Sequence, residues 1–273
     1  MWCISQSSGL WQNLVTMRIT LIRFSTATCL VAGALLCASV ATGKDSDTRG
    51  ATQAEIQIAL CSDPDQVVRA LNLAPRDAPR ETWLFDDASL TLFERGLRLR
   101  LRATESASEL TVKAVIDDCA YVPRALLPAK VGKCEHDLHG DKVTAAVSLS
   151  TRLYDSTARN LLSGRISLTD ALSAAQIRYL SEATKLWPLP PDLRRLGPIE
   201  VLAYRARDKP YDVDVSRLPT GERFVEVSRK VPLADADAAR KRFDDDLARS
   251  GVAVCADQSA QAVNKLRAIL RAP

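Results

Sequence analysis

The stretch FERGLRLRLRATESASELTVKAV, Phe93 to Val115, alternates leucine and arginine with strict period two. On an extended strand that alternation puts Leu97, Leu99 and Leu101 on one face and Arg98, Arg100 and Arg102 on the other. Residues on one face lie two rises apart, roughly 6.6 Å. A hairpin turn centred near Ser106–Ala107 would set Arg102 opposite Thr111 and Arg100 opposite Lys113. Like charges facing each other on adjacent strands cost a few tenths to about 1 kcal/mol. An anion with several oxygens relieves that repulsion, and guanidinium is the side chain best matched to phosphate. Arg98, Arg100, Arg102 and Lys113 are therefore candidate phosphate ligands. An exposed sheet face of solvated cations is the plainer alternative.

The start of the chain reads as an address. Met17 opens MRITLIRFSTATCLVAGALLCASVATGKDS, with two arginines, an apolar run and then small residues, the layout of a secretory signal peptide. Residues 1–43 are assigned to that signal, with Met17 an alternative start, and residues 50–273 to the folded domain. The apolar run is short for a transmembrane helix. An uncleaved anchor is the alternative. A cleaved signal implies a periplasmic or secreted protein with no stable membrane span.

The part before Lys44 carries Arg18, Arg23 and no acid, which leaves 35 basic against 33 acidic residues, a net charge of +2. So small a net charge argues against a general nucleic-acid or membrane binder. Any preference for polyanions must come from local arrangement.

Cys61, Cys119, Cys134 and Cys255 remain after cleavage, and an even number in an exported chain suggests two disulfides. Three connectivities are open. Cys119–Cys134, a local loop, with Cys61–Cys255, tying an early strand to the C-terminal region, is the favoured one. Cys134, His136 and His139 in CEHDLH are the competing zinc reading. They lack a fourth ligand, and a disulfide would consume the thiolate.

Short strands dominate the pattern from Ala54 onward. AEIQIALC alternates, and further strands are expected at Val143–Leu153, Ile199–Ala206, Tyr211–Val215 and Arg223–Val231. SDPDQVVRALNL reads as a helix capped by Ser62 or Asp63 with Pro64 at its first position. A helical region capped by Ser167 or Thr169 ends at WPLPPDL, and helices follow over LADADAARKRFDDDLARSG and from about Gln258 to Leu270. The expectation is a mainly antiparallel α+β domain whose strands are polar on one face.

The run WLFDDASLTLFERGLRLRLR, followed by LTVK, resembles the central signature of CYTH-type proteins, the triphosphate tunnel metalloenzyme superfamily. The matching positions are Leu84-Phe85-Asp86, then Gly96, Leu99, Arg100 and Arg102, then Leu110, Thr111 and Lys113. The resemblance implies a closed antiparallel eight-stranded β-tunnel with flanking helices, binding triphosphate or polyphosphate with Mg²⁺ or Mn²⁺. The family's opening Glu-x-Glu-x-Lys reads here as Glu55-Ile56-Gln57-Ile58-Ala59, and its closing Glu-x-Glu as Glu226-Val227-Ser228. The implied metal set is therefore Glu55, Asp214, Glu226 and Glu135, a degenerate one. Asp137 and Lys133 fall in register with Glu135. Arg205 or Arg207 fills the later arginine position, and Lys241 or Lys265 the last lysine.

Family hydrolases use clustered carboxylates to hold a divalent ion that orients phosphates and activates water. Here the cations are kept and the carboxylates thinned, with Gln57 and Ser228 as weaker ligands for a hard cation. The leading expectation is an exported tunnel domain that binds a linear phosphate polyanion with weak or no turnover. The alternatives are a metal-dependent triphosphate or polyphosphate phosphohydrolase and a non-catalytic scaffold or interaction module. A nucleotide cyclase is disfavoured, because an exported compartment offers little ATP.

Overall fold

The structure, a computed structural model, describes residues 52–140, 142–258 and 260–270, so the expected signal segment lies outside it. All of them belong to the compact unit Asp47–Pro273. In chain order the strands are β1 (Gln53–Leu60), β2 (Leu73–Pro75), β3 (Arg80–Asp86), β4 (Leu97–Ala103), β5 (Ser108–Ile116), β6 (Gly132–His139), β7 (Lys142–Leu153), β8 (Arg194–Ala206), β9 (Asp212–Arg217) and β10 (Arg223–Pro232). The helices are α1 (Pro64–Ala70), α2 (Thr91–Glu94), α3 (Asp155–Leu162), α4 (Leu168–Ala171), α5 (Ala174–Tyr179), α6 (Ala236–Ser250) and α7 (Ala260–Leu270).

The strands pair in the order β8-β3-β4-β5-β7-β6-β1-β10-β9, and β9 pairs back onto β8, so nine strands close a ring. β2 stays outside, on the edge of β8. The family resemblance implied eight antiparallel strands. The ring has nine, and β1 and β6 run parallel. β6 spends one edge on its hairpin partner β7, so its other edge is open to β1. The long chain between β1 and β6 supplies the crossover that a parallel pair requires.

The β4–β5 hairpin corrects the expected register. Thr104 N–H donates to the Ala107 carbonyl at 2.8 Å, and the Thr104 hydroxyl accepts from Ala107 N–H at 3.1 Å. The turn therefore centres on Glu105–Ser106, one residue earlier than expected. Arg98 opposes Lys113, Arg100 opposes Thr111 and Arg102 opposes Glu109. Partners move by two positions, so every side chain keeps its face.

The apolar faces point outward against helices. Leu97, Leu99, Leu101, Leu110 and Val112 are buried in one cluster with Leu161, Leu172, Tyr179 and Leu180. Ile56 and Ile58 pack in a second, with Ala239, Phe243 and Leu247 from the single apolar stripe of α6. A full burial of each such side chain is worth about 1.5–3 kcal/mol, which is what holds the polar faces turned inward. α7 is the exception. Its Leu266 and Ile269 pack on Leu196, Ile199 and Val201, whose ladder partners on β3 share the face of Arg100 and Arg102. The C-terminal helix thus covers an apolar sector of the inner wall.

α1 is capped by Asp63, whose carboxylate accepts from Asp65 N–H at 2.9 Å, with Pro64 at the first position as expected. The single helical region expected up to WPLPPDL is broken into short helices. Ser167 and Ser173 each close a capping box, so the chain restarts a helix twice within a few residues. Both favoured disulfides, Cys61–Cys255 and Cys119–Cys134, are present, and the second removes Cys134 from any zinc set.

Candidate functional site

The turn that aims the arginine strand is built on Asp86. Its carboxylate accepts from the backbone N–H of Asp87 at 2.9 Å, Leu92 at 2.9 Å and Phe93 at 2.8 Å. Asp87 does the same for Ser89 and Thr91. Gly96 then turns the chain at φ 73°, and a Cβ there would lie 3.1 Å from that of Val115. The Leu84-Phe85-Asp86 and Gly96 elements of the signature are therefore scaffolding for β4.

Arg98 belongs to that scaffold. Its Nη1 donates to the carbonyls of Phe93 at 2.9 Å and Leu97 at 3.1 Å, and its guanidinium lies 3.4 Å from the centre of the Phe93 ring. Burial pushes it down to about 10, with Asp86 opposing. Its Nη1 is thus spent within the fold.

Arg100 and Arg102 are left facing the lumen. Each has a buried Nε without a hydrogen-bond partner, and among the described residues neither forms an ion pair. Burial, then the charge of Arg102, pushes the Arg100 guanidinium down to about 9. Arg102 is lowered by burial and then by Arg80, which lies on the same inner face of β3. Holding two such cations close together is unfavourable without a counter-anion. Glu109 is the acid on the rung opposite Arg102, and its Oε1 accepts instead from the Thr111 hydroxyl at 3.2 Å.

The facing wall carries the acids, and cations already hold most of them. Arg80 pairs with Asp214 across β8, and Lys113 pairs with the buried Asp137 across β7. Lys133 reaches Glu135 at 2.6 Å, and Lys230 reaches the other Glu135 oxygen at 2.9 Å and Glu55 at 3.9 Å. Glu226 opposes Asp214 on the β9–β10 ladder, next to the rung where Ser228 opposes Asp212. Glu55 faces Arg100 and Arg102 electrostatically across the lumen.

The candidate residues therefore sort by use. Arg100, Arg102, Glu55, Glu135, Asp214 and Glu226 face one lumen, while Lys113 arrives already neutralised. Arg205 sits at one mouth, mostly exposed, with its Nε 2.8 Å from Asp212, which Arg76 also holds at 2.9 Å. Arg207 lies beyond β8 and is exposed. Lys265, rather than the exposed Lys241 of α6, lies against the inner wall, 5.4 Å from the Phe224 ring.

The four carboxylates expected to hold a metal do not converge. Among the described residues no three His, Cys, Asp or Glu side chains gather as a metal site. The cause is visible in the ion pairs, since Asp214 and Glu135 are tied to arginine and lysine, and Gln57 and Ser228 bring no charge. This donor set does not fit a resident Mg²⁺ or Mn²⁺.

Arg80, Glu109 and Asp212 are lumen residues that the motif comparison missed. Arg80 shares parity with Thr82 and Leu84 on β3, so the alternation that exposed Arg100 and Arg102 would have found it. Asp212 shares the parity of Asp214.

A closed β-ring with apolar faces outside, helices around it and a charged lumen defines a tunnel protein. Its fold is that of a CYTH-type triphosphate tunnel domain. No protein-family model matches the chain, and no curated protein matches it. A solved structure of HpAC1 from Hippeastrum, described as a proposed adenylyl cyclase with a dominant triphosphatase activity, is similar at TM-score 0.52 and 12% identity, covering 78% of this chain and 96% of that one. A proposed adenylate cyclase from Bacillus halodurans gives 0.48 and 14%, over 77% and 98%. One from Vibrio parahaemolyticus gives 0.42 and 10%, over 79% and 99%.

Proposed function

We propose that this chain binds a linear phosphate polyanion, of the triphosphate or polyphosphate type, in its tunnel, with weak or no turnover. Arg100 and Arg102 carry the reading. They are cations on an inward face, lowered by burial, without an ion-pair partner among the described residues and with an Nε each unspent. A chain of phosphates offers oxygens at a spacing that serves both guanidinium groups at once. The two disulfides support an oxidising compartment, periplasmic or extracellular. No described helix is long and apolar enough to cross a membrane.

Titration calorimetry with sodium tripolyphosphate tests the reading. Binding by the folded domain that is lost in Arg100→Ala supports it, and no binding at low salt ends it. Metal-dependent phosphate release is the second reading. It is favoured by the Glu226–Asp214 rung and by the triphosphatase activity described for the Hippeastrum protein. Release of phosphate from tripolyphosphate with Mg²⁺ or Mn²⁺ decides between them.

A further inference from the structure

Three neighbouring strands, β6, β1 and β10, bring Glu135, Glu55 and Lys230 together on the inner wall. Glu55 and Lys230 are rung partners on the β1–β10 ladder. The Lys230 ammonium lies 2.9 Å from Glu135 Oε1 and 3.9 Å from Glu55 Oε2, and Lys133 takes Glu135 Oε2 at 2.6 Å. The next rung is Gln57 opposite Ser228, which carries no charge. Two carboxylates are thus already balanced by two ammonium groups, and Asp137, which opposes Glu55 on β6, is paired with Lys113. A divalent cation entering here would meet an ammonium group at each of these carboxylates, whereas a hard cation needs several charged oxygens to itself.

We propose that the tunnel takes its phosphate chain without divalent metal, with Lys230 as the built-in counter-ion of the acidic wall and Arg100 and Arg102 engaging the anion directly. The inference rests on the polyanion reading above and narrows its ligand to the metal-free anion. Lys230 neutralises Glu55 and Glu135, which would otherwise repel the ligand from across the lumen. A Mg²⁺ or Mn²⁺ complex of the same ligand carries less negative charge and is the poorer ligand.

The test is calorimetric titration of the folded domain with sodium tripolyphosphate, once in EDTA and once in excess Mn²⁺. The expected result is binding in EDTA, with weaker affinity in Mn²⁺. Binding that appears only with Mn²⁺ overturns the inference and leaves the polyanion reading standing. Absence of heat in both buffers brings down the polyanion reading itself, and this inference with it. Lys230→Ala gives the second measurement. With Glu55 uncovered and Glu135 held by Lys133 alone, affinity in EDTA should fall at least tenfold and recover in Mn²⁺, since the freed carboxylate oxygens then recruit the metal. Unchanged affinity of Lys230→Ala in EDTA would also overturn the role given to Lys230.

Discussion

Gln57 on β1 stands directly opposite Ser228 on β10, so the two positions where this chain departs from paired Glu-x-Glu motifs are one cross-strand rung. Both departures act on the same place. Two glutamates at directly opposed positions repel unless a cation lies between them, and two neutral residues need none.

Restoring both acids should therefore make the fold cation-sensitive. Gln57→Glu with Ser228→Glu is expected to cost about 0.2–1 kcal/mol in EDTA, lowering Tm by about 0.4–4 °C. Mn²⁺ should recover that loss in the double variant and leave the parent melt unmoved. A double variant indifferent to Mn²⁺ would show that the rung does not set metal affinity.

The Asp86 turn is the mechanical support of the arginine strand. Asp86→Ala strips three backbone N–H groups of their acceptor, at about 1–3 kcal/mol for each one left buried. Urea unfolding should show a loss of about 3 kcal/mol or more, with Asp86→Asn falling between the variant and the parent. A cost under about 1 kcal/mol would mean that the turn forms without its acceptor.

Acid should weaken the fold through carboxylates held by the lumen and mouth cations. Burial alone would raise Glu135, but hydrogen bonds from Lys133 and Lys230 more than offset it and hold the group below its ordinary value. Asp212 is likewise lowered against its burial, by Arg205 and Arg76. A depressed carboxylate contributes stability that is present above its unfolded pKa and lost as pH falls through the folded one. Melting temperature measured from neutral pH down through the carboxylate range should decline, and Lys230→Ala should flatten the Glu135 part of that decline. A parallel curve for Lys230→Ala would refute the assignment.

The two disulfides should differ in worth. Cys61–Cys255 closes a separation of 194 residues and Cys119–Cys134 one of 15. By chain entropy the first is worth about 5 kcal/mol and the second about 3. Cys61 and Cys255 replaced together by alanine should therefore unfold at lower urea than the Cys119/Cys134 counterpart. The long bridge also ties the segment before α7 to β1, where Cys255 N–H already donates to the Ala59 carbonyl at 3.0 Å. Equal midpoints would show that loop length does not set the worth of these two bridges.

Much of this geometry was legible in the residues. Period-two alternation assigned the faces of β1, β4 and β5 correctly, because one face is buried under helices and a wrong face would expose leucines. The register within a face was not, since the closure between Thr104 and Ala107, by backbone and hydroxyl together, moved the turn by a residue. The parallel β1–β6 pair was also hidden. Nothing in AEIQIALC or KCEHDLH encodes which free edge each will meet. Glu55, Glu135, Asp214 and Glu226 were found, and Glu109 and Asp212 were not. The pairing of Glu135 and Asp214 with Lys230, Lys133 and Arg80 depends on contacts between distant strands, which no local spacing reports.

Arg100 carries the last prediction, because binding and folding ask opposite things of it. Its guanidinium sits on the inner face near Arg102, with burial as the main cause of its lowered pKa and an Nε that finds no partner. A buried group left unpaired costs about 1–3 kcal/mol, more when charged. Replacing it with a flexible apolar side chain of similar reach removes that cost. Arg100→Met should thus raise the stability of the ligand-free domain by about 1 kcal/mol or more, read as a higher urea midpoint. The same change should weaken tripolyphosphate binding by about 1.5–3 kcal/mol, the worth of a charged hydrogen bond. Arg98→Met should behave the other way, destabilising the fold, because Arg98 satisfies the Phe93 and Leu97 carbonyls. If Arg100→Met destabilises the ligand-free domain and leaves tripolyphosphate affinity unchanged, Arg100 is a structural arginine and the tunnel has no anion cradle at this strand.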